Sequence, residues 1–400
     1  MAIASNTHPA TLIRRDTRSD ATKDQWYLAQ AIKYDVGGSE ISLNASYKEY
    51  KFDSIQDSDQ TAIGPEQDSR ARQTGILRVV STPSVGSVGR QFELVLKGGQ
   101  LEQAVALQQL DKASWVASCS GRAELVVSAL VYAFDTSVRA AFLDARRAFF
   151  NATSLCLRVV GREAEPHRLA LGRLPAGWEV ATAMPPAPDG APQAWLAADY
   201  DELADHPFEL GSFWRGHFDA AGVPHELVVT GAWPRFDGQR LLADVRRICT
   251  RQIGFWHSHD GSRAPFERYL FLLHAVDDGY GGLEHQSCTS LITPRDDLPG
   301  VLEPAQPSAG YQRFLGLCRH EYFHAWLVKC IRPEPMLQPD LEREVYLPLL
   351  WVFEGLTSYY DDLMLYRAGL ISRQAYLRLL EEQITRHWQT PGHRVQALAE

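Results

Sequence analysis

The sequence predicts an α+β chain in which an N-terminal antiparallel β-sandwich, over residues 76–206, precedes a domain of mixed strands and helices over residues 207–400. Three observations predict it. Between 76 and 207, short runs rich in Val, Leu and Phe alternate with polar residues and are punctuated by turn residues, the pattern of strands with one covered face. From His225 onward such runs are interleaved with helical stretches. One of those stretches, 309–330, sets His320-Glu321-Tyr322-Phe323-His324 inside an otherwise apolar helix.

The bulk properties bound the answer. Four hundred residues leave room for two or three domains. With 45% hydrophobic and 22% charged residues the chain is globular in type. A net charge of −9 argues against nucleic acid as a partner, since phosphate binding needs clustered Lys and Arg. No window of about twenty apolar residues and no positive-then-apolar leader is present, so neither a membrane partner nor secretion is expected, and the location expected is cytoplasmic. The six cysteines are scattered without paired spacing, which suits reduced thiols. Oligomeric state leaves no signature in the sequence.

In chain order, residues 1–75 stand apart. They hold Lys23, Lys33, Lys48 and Lys51, four of the seven lysines, and a polar stretch over 53–72. Partial disorder or marginal strands are expected there. Strands follow at 91–96, 123–131 and 154–160. Asn151-Ala152-Thr153 fits a glycosylation sequon, which a cytoplasmic protein does not use, and reads as a turn. Met184-Pro185-Pro186-Ala187-Pro188-Asp189-Gly190 reads as a loop near the domain boundary. Then come a strand at 227–230, a helix at 238–252 and a strand at 269–273. A last strand at 283–293 has polar residues on both faces, as an edge strand lining a cleft would. Gly281 and Gly282, just before it, let a peptide backbone approach closely, and a sheet edge is a natural rail for an extended peptide. For Glu284 and His285 the competing reading is ordinary solvated edge residues.

His320 and His324 are four apart, so on a helix they lie on one face, one turn above the other, and can grip one metal ion. Glu321 is rotated by about 100° from His320, beside the metal, where a water-activating base belongs. Two histidines and a glutamate buried here would each cost a few kcal/mol without partners, and a divalent cation serves all three. Zinc commonly takes three protein ligands and keeps a position open. The third is Glu354, the single polar residue in 349–356, on a helix expected over 348–368 with Pro348 at its first position and Gly369 past its end. Ser358, one turn on, is the expected support for the histidines. The competing readings are a chance pair of core histidines and a glutamate that merely favours the helix dipole.

These residues resemble a known family. His320-Glu321-Tyr322-Phe323-His324 followed by Trp326 and Val328-Lys329, Phe353-Glu354-Gly355 continuing to Thr357-Ser358-Tyr359-Tyr360-Asp361-Asp362, and Gly281-Gly282-Leu283-Glu284-His285 look like the glycyl aminopeptidase family of zinc metallopeptidases. The resemblance covers roughly residues 105–400. It implies a thermolysin-like catalytic domain of the gluzincin type, His320, His324 and Glu354 as Zn²⁺ ligands, Glu321 as general base, and a peptide with a free N-terminal Gly or Ala as the substrate. By similarity to the aminopeptidase N group, it implies that Glu284 holds the substrate's α-amine. Leu327 and Cys330 depart from the family's Asn and Arg, and residues 1–98 do not match. The family also places an oxyanion-stabilising tyrosine, further helices and a PDZ domain beyond residue 400. The resemblance therefore implies a catalytic domain truncated at its C-terminal end, with impaired turnover. A catalytically weak zinc-binding fragment and a zincin endopeptidase are the alternatives.

Overall fold

The computed structural model describes residues 27–35, 41–46, 76–80, 90–98, 101–104, 108–111, 113–118, 124–257, 263–337 and 345–395. They fall into two compact units, Met1–Ser212 and Phe213–Glu400. The expected α+β class holds.

The first unit is built from β-sheets. The strand Glu124–Tyr132 sits inside a seven-stranded sheet, flanked by Tyr27–Asp35 and Arg90–Gly98. Its Val and Leu run suits that central place, and Val127 and Val131, on one face, are buried. The strands Tyr27–Asp35 and Ile41–Ser46 lie in the stretch where partial disorder or marginal strands were expected. They pair antiparallel with each other, and each also pairs with a strand from far along the chain, which local pattern does not reveal. The pairing of Ile41–Ser46 with His167–Leu171 is parallel, a departure from the all-antiparallel expectation. The remainder of 1–75, including the polar 53–72, lies outside the described residues. A second correction falls at 154–160. Asn151 accepts a hydrogen bond from Thr153 N and caps a single helical turn, Ala152–Leu155, leaving only Arg158–Val159 as strand.

The second unit carries a five-stranded sheet. Its order is Trp214–Ala220, Val223–Thr230, Tyr269–Val276, Cys288–Pro294 and, at the edge, Gly281–Glu284. The three inner strands are parallel, and the connection between the first two of them contains the helix Gly238–His257. Leu241, Leu242, Val245, Ile248, Cys249 and Ile253 recur at helical spacing and are buried in one core. The expected single strand at 283–293 is instead a hairpin. The chain runs out along the edge through Glu284, turns at residues 285–287, and returns antiparallel, with Glu284 opposite Thr289. The helices Ala309–His324, Leu350–Arg367 and Arg373–Gln389 complete the unit. No helix among the described residues is long and apolar enough to cross a membrane.

His225 ties the sheet to the Ala309–His324 helix. Its Nδ1–H donates to Val223 O at 2.8 Å, and its Nε2 accepts from the Tyr322 hydroxyl at 2.9 Å. Burial pushes its pKa from 6.5 down to about 4. The unfolded chain therefore takes up a proton near pH 6.5 that the folded chain refuses until about pH 4, so stability falls as pH drops through that window. At pH 5 the loss from this group amounts to about 2 kcal/mol. In urea unfolding, His225→Phe should show a shallower fall in midpoint between pH 7 and 5 than the wild type. Parallel pH profiles would remove His225 as the cause.

Candidate metal centre

Ser308 caps the helix Ala309–His324 by accepting from Tyr311 N at 3.1 Å. Nearly every side of this helix is covered, with Phe314, Leu315, Tyr322 and Phe323 at 1% exposure or less. The sequence suggested a helix reaching Val328, but it stops at His324. The stop brings Leu327 O back to accept from His324 Nδ1 at 3.1 Å, and Val328 in the same turn takes a φ of 107°, a strained value for a β-branched residue.

Three donor atoms meet at the surface of this helix. His320 Nε2 and His324 Nε2 face each other at 3.2 Å, and Glu354 Oε2 stands 3.5 Å from the first and 3.8 Å from the second. Glu354 comes from the helix Leu350–Arg367, which begins two residues after Pro348 rather than at it. The expectation that Glu354 lies among buried apolar neighbours does not hold. Its side chain is 48% exposed, and Leu350, Trp351 and Leu356 are exposed too.

The hydrogen bonds behind the rings decide what this cluster can hold. His320 Nδ1 lies 3.0 Å from Asp361 Oδ2, so each histidine spends its Nδ1–H on a fixed acceptor. In neutral rings, both Nε2 atoms then present lone pairs to one another across 3.2 Å, which is repulsive unless a positive charge sits between them. Without a metal, a proton must serve. Burial pushes the His320 pKa down, but Asp361 and Glu354 outweigh it and hold it up at about 10. Burial lowers that of His324. The hydrogen bond from His320 keeps the Glu354 carboxyl below its ordinary range. A tetrahedral zinc ion with ligands at about 2.0–2.1 Å would space its donors by about 3.3 Å, so the residues present fit such an ion.

Glu321 is 5% exposed, and burial together with the Glu284 carboxylate raises its pKa to about 8 against the opposing pull of His320. A Cβ built on Gly282 would overlap the Glu321 side chain from Cγ to Oε1. Gly282 and Glu284 are two apart on the edge strand and share its face, and Glu284 also acts electrostatically on His324. Gly281 belongs to the other face, and a Cβ there would meet nothing within 4 Å. Of the edge residues singled out in the sequence, Gly282 and Glu284 therefore face the centre and Gly281 does not. His285 is buried in the turn. Ser358 is exposed. The histidine support is Asp361, seven residues after Glu354 and so on the same helix face, a spacing that could have identified it.

The fold and the site together define a class: an α+β chain whose mixed sheet presents its edge to a two-histidine helix, with a glutamate from the following helix. A family model for the N-terminal domain of M61 peptidases matches residues 93–212, and the model for M61 glycyl aminopeptidases matches residues 313–400. Among solved structures, the crystal structure of an aminopeptidase N family protein from Idiomarina loihiensis is 35% identical, with a TM-score of 0.74 over 82% of this chain. The match covers 56% of that protein, so this chain spans little more than half its length. No curated protein matches. The chain belongs to the M61 glycyl aminopeptidase family.

Removing one donor tests the cluster. Wild-type chain loaded with zinc and dialysed against metal-free buffer should keep about one ion per chain, and Glu354→Ala should lose it. Equal zinc content in the two proteins would exclude Glu354 as a ligand.

Proposed function

We propose that the chain is a zinc-dependent aminopeptidase that removes small N-terminal residues, Gly or Ala, from peptides. The observation that carries this reading is the placement of a buried carboxylate, Glu321, between the three donors on its own side and the Glu284 strand edge on the other. His320, His324 and Glu354 would hold the ion, which when bound supplies Lewis acidity and draws the pKa of water down towards about 7. Glu321, with a pKa raised towards neutrality, is suited to take a proton from the water attacking the scissile carbonyl. It then passes that proton to the leaving amine as the C–N bond breaks. Glu284 would bind the substrate's ammonium, which sets the cut one residue from the N-terminus. Gly282 leaves the space in which the Glu321 carboxylate sits. A cytoplasmic setting is part of this proposal, in keeping with six cysteines that show no paired spacing.

Glycyl and alanyl anilides should be hydrolysed, and their N-acetylated forms should not. Cleavage of the blocked substrates at equal rates would instead make the chain an endopeptidase. Glu321→Gln should keep its zinc and lose about 10²–10⁴ in kcat; wild-type turnover in this variant would remove Glu321 as the base. Gly282→Ala should also keep zinc and lose about 10² in kcat, because the added methyl pushes Glu321 off its position. Unchanged kcat there would mean that the position of Glu321 is not critical.

A further inference from the structure

Arg319 is adjacent to the first histidine but is not one of the three donors, and no role for it follows from the family resemblance or from the mechanism. Its side chain is fully buried. The guanidinium lies over the Phe323 ring, 4.0 Å from the centroid. Nη1 donates to Asp361 Oδ1 at 2.8 Å and to Thr357 O, while Nε and Nη2 find no partner among the described residues. As a contribution to folding this is a poor arrangement. A buried cation with two nitrogens unsatisfied is unfavourable, and an apolar side chain would fill the space at lower cost.

The other end of the contact accounts for it. Asp361 uses Oδ1 for Arg319 and Oδ2 for His320 Nδ1, so its carboxylate is gripped from both sides. Thr357, whose carbonyl takes the second hydrogen bond, lies one turn before Asp361 on the same helix, so the guanidinium fixes both the carboxylate and the backbone that carries it. We infer that Arg319 is a positioning residue for the metal centre: it locks the Asp361 carboxylate, which in turn holds the His320 ring with Nε2 aimed at the ion. This rests on the metal-binding reading above. It assigns the centre a chain of contacts running from Phe323 through Arg319 and Asp361 to His320.

The test is a double-mutant cycle read in zinc affinity, measured by competition with a chromophoric chelator on folded protein, with urea midpoints recorded separately. Arg319→Met and Asp361→Asn should each weaken zinc binding by about 10- to 100-fold. The double variant should bind no more weakly than Asp361→Asn alone, because Arg319 acts only through that carboxylate. Arg319→Lys, which keeps a donor and a charge, should fall between wild type and Arg319→Met, and it carries the cycle if the Met variant does not fold. Wild-type affinity in Arg319→Met with only a lowered urea midpoint would reduce the residue to a structural one and overturn the proposal, as would losses that multiply in the double variant. A metal-free arm separates this outcome from failure of the zinc reading itself. The His320 Nδ1 proton, followed by nitrogen-edited NMR, should exchange faster in Arg319→Met or Arg319→Lys than in the wild type, and unchanged exchange would overturn the proposal whether or not the wild type binds zinc.

Discussion

Two imidazole nitrogens held 3.2 Å apart, which in neutral rings would turn their lone pairs towards each other, are the constraint on which the rest of the structure depends. The opposition is imposed from behind. Asp361 and the Leu327 carbonyl occupy the two Nδ1 positions, so neither ring can turn over without breaking a hydrogen bond. A positive charge between the rings relieves the repulsion, and the Glu354 carboxylate at the open side selects for a cation that accepts an oxygen ligand as well. The same need explains why the helix ends at His324. One further turn of regular helix would carry Leu327 O away from the ring it supports.

The sheet supplies the other half of the site. Because the chain runs out to the edge at Gly281–Glu284 and folds back into the middle at Cys288–Pro294, the edge strand is short and pairs with no further strand among the described residues. Its alternation turns Gly282 and Glu284 to the same face. Gly282 accommodates the Glu321 side chain, and Glu284 adds a second negative charge that helps to hold the Glu321 proton until neutral pH. One strand of four residues thus makes room for the proposed base and carries the proposed amine-binding anion. Burial alone would raise the Glu321 pKa, and the neighbouring carboxylate raises it further.

Much of the centre was legible in the sequence because its signals are local. The four-residue spacing of His320 and His324, and the lone carboxylate of Glu354 in an apolar stretch, need only helical periodicity and residue chemistry to interpret. Asp361 was legible in principle, seven residues from Glu354, but a nearer polar residue, Ser358, drew the reading instead. The turn at residues 285–287 was not legible. His285-Gln286-Ser287 contains no glycine, proline, asparagine or aspartate, and the alternation of 283–293 continues across it. For the strands at 27–35 and 41–46 the sequence offered only partial disorder or marginal strands: they pair with each other, but the outer partner of each lies about a hundred residues or more away, and pairing at that range leaves no local pattern. Arg319 had no signal of its own, since its role depends on a carboxylate from another helix.

The most direct measurement is X-ray absorption at the zinc edge on the loaded chain. The account predicts a first shell of nitrogen and oxygen only, at about 2.0–2.2 Å, with the outer-shell scattering of two imidazole rings. A sulfur shell at about 2.3 Å, or a shell without imidazole, would contradict it.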